Sequence, residues 1–70
     1  MYVNYDIKID FPVGKILKEQ MEEAEALDKA GDGEYSIVAD IIDVYAKNMY
    51  SAGKLTKKQW DTLIERYPYV

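Results

Sequence analysis

The side chains charged at neutral pH are thirteen carboxylates and nine Lys or Arg, in a 70-residue chain that has neither histidine nor cysteine. Two carboxylate pairs, Glu22 with Glu25 and Asp40 with Asp43, are spaced three apart and so share a helical face. Such pairs act as acid and base only where a cleft drives their pKa values apart, and both fall on faces read as solvated. Without histidine the usual general base, transition-metal ligand and pH switch are missing. Without cysteine no disulfide or thiolate metal site braces the core. No Ser–His or Cys–His arrangement and no glycine-rich phosphate loop is present. Catalysis is not expected, and no cofactor is.

The stretch "DKAGDGEYSIVA", residues 28–39, has the outline of a calcium loop between two helices. Asp28, Asp32, Gly33 and Ser36 fit its first, fifth, sixth and ninth positions. Ala30 stands where a ligand belongs, and Ala39 where the bidentate glutamate belongs. That glutamate supplies two of the roughly six to eight oxygens such an ion takes. Calcium is therefore not an expected ligand, and a glycine-capped turn accounts for the same residues.

The basic side chains are unevenly spread. Residues 1–46 hold four lysines against eleven acids, −7 in all; residues 47–70 hold five basic groups against two acids, +3. Lys54, Lys57, Lys58 and Arg66 make a candidate basic face on a C-terminal helical hairpin, the geometry of a helix-turn-helix. The net charge of −4 and the lack of an Arg, Asn and Gln cluster argue against base readout. Nucleic acid is not the expected partner.

These groups must be carried by a small number of elements. "YVNYDIKIDF", residues 2–11, alternates: Val3, Tyr5, Ile7, Ile9 and Phe11 on one side, Asn4, Asp6, Lys8 and Asp10 on the other. Period two predicts a strand over 2–10 with one buried face. No second strong strand appears, so its backbone groups need another partner. Four are open: a second copy across a two-fold axis, the sheet edge of another protein, the tail "YPYV", or the helices themselves with the apolar side down. Val3, Tyr5, Ile7 and Ile9 are accordingly the candidate interaction residues.

Helical spacing predicts a helix over about 12–30, with Asp10 as N-cap and Val13, Ile16, Leu17, Met21, Ala24 and Leu27 on its apolar face. Gln20 interrupts that face and must find a partner or sit at the edge of the core. Gly31 and Asp32-Gly33 end the helix. A second helix, over about 34–52, is apolar around more than half its circumference, which implies contact from two directions. Gly53 ends it. "TKKQ", residues 56–59, is a capping box, and Leu55 with Trp60 forms the hydrophobic staple of a third helix over 56–67. Of the seven tyrosines, Tyr35, Tyr45 and Tyr67 fall on apolar faces and are expected in the core; Tyr2, Tyr50 and Tyr69 are not.

Residues 46–67, "AKNMYSAGKLTKKQWDTLIERY", resemble the short C-terminal helical hairpin of the SHOCT family. Gly53, Leu55, Thr56 and Trp60 match its pattern of glycine, aliphatic residue, threonine and aromatic, and Gln59 stands where the pattern has an acid. The whole chain looks like the small accessory proteins encoded on mobile elements of Gram-positive bacteria. The role this resemblance implies is protein–protein interaction or oligomerisation.

The expectation is a single mostly α domain over 1–70: three helices with one N-terminal β-strand or extended segment. No apolar run reaches the ~18 residues that span a bilayer, and no basic stretch followed by an apolar one opens the sequence. Membrane association is not expected, and a cytoplasmic location is. The expected function is a non-catalytic protein–protein interaction module, self-associating as a homodimer. The alternative is a small DNA-binding or regulatory accessory protein that uses the basic hairpin.

Overall fold

The computed structural model describes residues 1–69, and its three helices are α1 (Lys15–Ala30), α2 (Tyr35–Ser51) and α3 (Lys57–Arg66). Each helix stop follows from the local sequence. Gly31 takes the left-handed conformation after α1, with its N–H donating to the Asp28 carbonyl and that of Asp32 to the Leu27 carbonyl. Gly53 does the same after α2, where its N–H bonds Tyr50 and that of Lys54 bonds Met49. Both are paired closures that satisfy carbonyls left over at a helix end. The start of α3 is the expected capping box: the Thr56 hydroxyl accepts from the Gln59 N–H at 3.1 Å, and the Gln59 side chain accepts from the Thr56 N–H at 2.9 Å. Leu55 before it is buried and Trp60 after it half-buried.

The start of α1 differs from the expectation. The helix begins at Lys15 rather than Pro12, and Gly14, not Asp10, precedes it at φ 81° and ψ 165°. Residues other than glycine rarely occupy that region. The late start leaves Val13 buried in the segment that precedes the helix. The buried row of α1 is then Leu17, Ala24 and Asp28, with Met21 half-buried in the same 4-3-4 spacing. Ile16, expected on the apolar face, is 59% exposed. Gln20 is half-buried at the edge of that face.

Helix α2 packs against α1 on one side and α3 on the other, and contributes Tyr35, Val38, Ala39, Ile42 and Ala46 to the core. Leu63 and Tyr67 complete it from the C-terminal side. Among the described residues the backbones of α1 and α3 stay apart, and the Arg66–Glu25 ion pair bridges the two helices. Residues 1–14 lie against both, hydrogen-bonded to Asp28 of α1 and to Arg66 of α3.

No strand forms among the described residues, and the reading of 2–10 as one is corrected. The segment is an irregular arm with a tight turn, in which the Ile7 N–H donates to the Asn4 carbonyl at 3.1 Å. Its alternation survives all the same: Val3 is buried, Tyr5, Ile7, Ile9 and Phe11 are half-buried, and the even-numbered residues from Asn4 to Asp10 are exposed. Of the four arrangements open to it, the arm takes the last, lying apolar side down on the helices. The Cα radius of gyration, 11.2 Å, matches the roughly 11 Å of a close-packed chain of this length, as it must if the arm is docked.

Candidate functional site

Two polar clusters fasten the arm. The first is at Asp28, whose position in the buried row of α1 leaves it 2% exposed. Its carboxylate accepts from the Tyr2 backbone N–H and, at 3.0 Å, from the Tyr5 hydroxyl. Burial alone would raise its pKa. The N–H groups of Tyr2 and Val3, the Tyr5 hydroxyl and the positive N-terminus outweigh that and hold it below the ordinary aspartate value. The same contact works oppositely on Tyr5, whose pKa is raised by burial and by the hydrogen bond to Asp28. Beside them Tyr2 stacks on the fully buried Tyr35 at 4.8 Å. The Tyr35 hydroxyl donates to the Pro68 carbonyl at 3.0 Å, and burial pushes its pKa up to about 12.

The second cluster centres on Arg66. Its guanidinium donates to the Ile7 carbonyl at 2.6 Å, the Tyr5 carbonyl at 3.4 Å, the Tyr67 hydroxyl at 3.0 Å and the Glu25 carboxylate at 3.3 Å. Its own carbonyl accepts from the Asn4 N–H at 2.8 Å. Tyr67 donates to Glu25 at 2.6 Å, and burial followed by that bond raises its pKa. The guanidinium also lies 5.4 Å from the ring centres of Tyr5 and Tyr67. One side chain thus joins the arm, α1 and α3.

These contacts revise the expected sites. Val3, Tyr5, Ile7 and Ile9 turn toward the helices and do not offer an open edge. Of the four basic residues, Arg66 is drawn inward, while Lys54, Lys57 and Lys58 are exposed, Lys57 pairing with Asp61 and sitting 4.9 Å over the Trp60 ring. The paired carboxylates are split as well. Glu25 is taken by Arg66 and Tyr67, and Asp43 accepts from the Trp60 indole N–H at 2.9 Å, while Glu22 and Asp40 stay in solvent. In the calcium-like loop, Asp28 faces the arm and Asp32 accepts from the Glu34 N–H at 2.9 Å. Among the described residues no three His, Cys, Asp or Glu side chains converge on a metal position. No described helix is long and apolar enough to cross a membrane.

What the sequence did not mark is an apolar face left open. The wide apolar arc of α2 exceeds what α1 and α3 cover. Ile37 is 62% exposed, Val44 50% and Tyr45 38%, and the exposed Ile16 of α1 lies at the same surface. Tyr45, expected in the core, is therefore a surface residue. With half-buried Ile41 these side chains line three adjoining depressions along the junction of α1 and α2, which share Gln20, Ile41 and Tyr45 and make up a shallow groove with Asp40 and Asn48 in its middle. Its ends differ in charge: Glu23 and Glu34 border one, Lys15 and Lys54 the other. The breadth of the α2 arc predicts contact from two directions, and α1 and α3 supply both contacts while leaving this face uncovered.

Comparison with known proteins gives no match: no family model, no curated protein and no solved structure aligns with the chain.

Proposed function

We propose that this protein is a non-catalytic protein–protein interaction module of the cytoplasm that docks through the groove between α1 and α2. The observation that supports it is the exposure of Ile16, Ile37, Val44 and Tyr45 along the junction of α1 and α2. Single exposed apolar residues are ordinary, but a contiguous patch rimmed by charge marks an interaction surface. A tyrosine with apolar neighbours suits such a surface, because it combines area with a hydroxyl. The role implied by the resemblance of residues 46–67 to the SHOCT hairpin, interaction or oligomerisation, is the same. The DNA-binding alternative retains Lys54, Lys57 and Lys58 but loses Arg66.

A photo-crosslinking residue placed at Tyr45, with a second at exposed Glu22 as control, tests the reading in the expressing cell. Expected are protein adducts from position 45, none from position 22, and loss of the adducts when Ile37→Lys is added. Absence of adducts from position 45 refutes it.

A further inference from the structure

We infer that the occupant of the α1–α2 groove is a second copy of this chain, seated antiparallel across a two-fold axis near Val44. The inference rests on the interaction reading above and adds the identity and register of the partner. Its argument is the charge polarity of the groove. Glu23 and Glu34 mark the end at the start of α2, and Lys15 and Lys54 the end beyond its last turn. A two-fold axis perpendicular to α2 reverses one copy against the other and brings acidic end to basic end twice.

The register follows from α2 itself. With Val44 on the axis, Asp40 of one copy lies opposite Asn48 of the other, which can donate to it, and Glu34 before the first turn of α2 lies toward the end where Lys54 follows the Gly53 turn of the other copy. Asp40, Val44 and Asn48 line the same central part of the groove. The 17-residue helix is ~25 Å long, enough for a Val44–Val44 contact on the axis, an Asp40–Asn48 pair on each side of it and the charged groups at the ends. A parallel arrangement would set Glu34 against Glu34 and Lys54 against Lys54. Size permits the pairing: a standard interface takes roughly 800 Å² per partner, less than a fifth of the 4541 Å² surface of the chain.

The test is sedimentation equilibrium from about 1 μM to about 1 mM, on the full chain and on three variants whose fold is checked by circular dichroism. The expected species is a dimer of twice the 8.1 kDa chain mass. Val44→Lys sets two charges on the axis and weakens it about 100-fold or more. Glu34→Lys and Lys54→Glu each weaken it about tenfold, because each reversal acts twice across the axis. An equimolar mixture of the last two restores a heterodimer, since both of its charge pairs are again opposite. A dimer indifferent to all three variants overturns the inference. So does a chain that stays monomeric throughout. If crosslinks from position 45 to a different protein then persist, the module reading survives and only the second copy is lost.

Discussion

Replacing Arg66 by lysine keeps the charge and removes the fork. Arg66 reaches two carbonyls of the arm, the Glu25 carboxylate and the Tyr67 hydroxyl from three separate nitrogens. A lysine ends in one nitrogen, which can serve the carbonyl pair or Glu25 but not both. Two charge-assisted bonds are lost, each about 1.5–3 kcal/mol when fully sheltered. The pair is not fully sheltered, since 14% of the Arg66 side chain and 27% of the Glu25 side chain remain exposed, so solvent screening reduces that figure. The stacking of the guanidinium on Tyr5 and Tyr67 weakens as well, by about 0.5–1 kcal/mol. A net loss of about 2–3 kcal/mol is expected. A chain of this length has about 3.5–10 kcal/mol in all, so Arg66→Lys stays folded but melts about 10–20 °C lower. Urea unfolding followed by Trp60 fluorescence gives the stability. Hydrogen exchange at Asn4, whose N–H is bound to the Arg66 carbonyl, should speed up more than exchange at Leu63. If Arg66 serves only as surface charge, lysine is neutral. A variant within about 0.5 kcal/mol of the parent, with Asn4 exchange unchanged, refutes the latch.

The latch also has a pH window. Asp28 titrates below its unfolded value in the folded chain, so its stabilisation is complete above that value and is lost as pH falls through the folded one. Tyr35 is raised to about 12, so its contribution is complete below the unfolded tyrosine pKa near ~10 and is lost as pH rises toward the folded value. Stability measured against pH should therefore be flat through neutrality and fall at both extremes; in Asp28→Asn the acid limb should flatten. Gly14→Ala meets no atom within 4 Å but keeps φ at +81°, and should cost about 1–3 kcal/mol from backbone strain alone. Gly33→Ala, equally open and without positive φ, should be neutral or stabilise by up to about 1 kcal/mol. Thermal melts of the two variants side by side check the contrast.

The helices were legible because their signals are local. Gly31, Gly53 and the Thr56–Gln59 box act within a few residues of themselves, and each stands where its sequence placed it. The alternation of residues 3–11 was legible as burial but not as a strand. Period two states which side chains face down and says nothing of what lies beneath, so a sheet and a bent arm on helices look alike. Arg66 read as one more surface cation because two of its acceptors are the carbonyls of Tyr5 and Ile7, and backbone acceptors leave no trace in side-chain types. Asp28 continued the apolar row of Leu17, Met21 and Ala24 in register. A charge there has meaning only once the donors that satisfy it, the Tyr2 N–H and the Tyr5 hydroxyl, are known. The breadth of the α2 arc was legible as contact from two directions, but that Ile37, Val44 and Tyr45 stay uncovered depends on how α1 and α3 pack on α2, which no local signal states.

The bond from Asn4 to Arg66 spans almost the whole chain, and it orders assembly in time. The helices rest on near neighbours and can form as they appear, whereas closing the arm must await contacts of large sequence separation. During synthesis at about 5–20 residues per second, the arm leads Arg66 by roughly 3–12 s. Throughout that interval the arm has α1 and α2 beneath it, through Asp28 and Tyr35, but lacks the bonds to Arg66 that hold Asn4, Tyr5 and Ile7. The arm's first partner is therefore α1, through Asp28, and the arrival of Arg66 turns a one-sided contact into a closed strap.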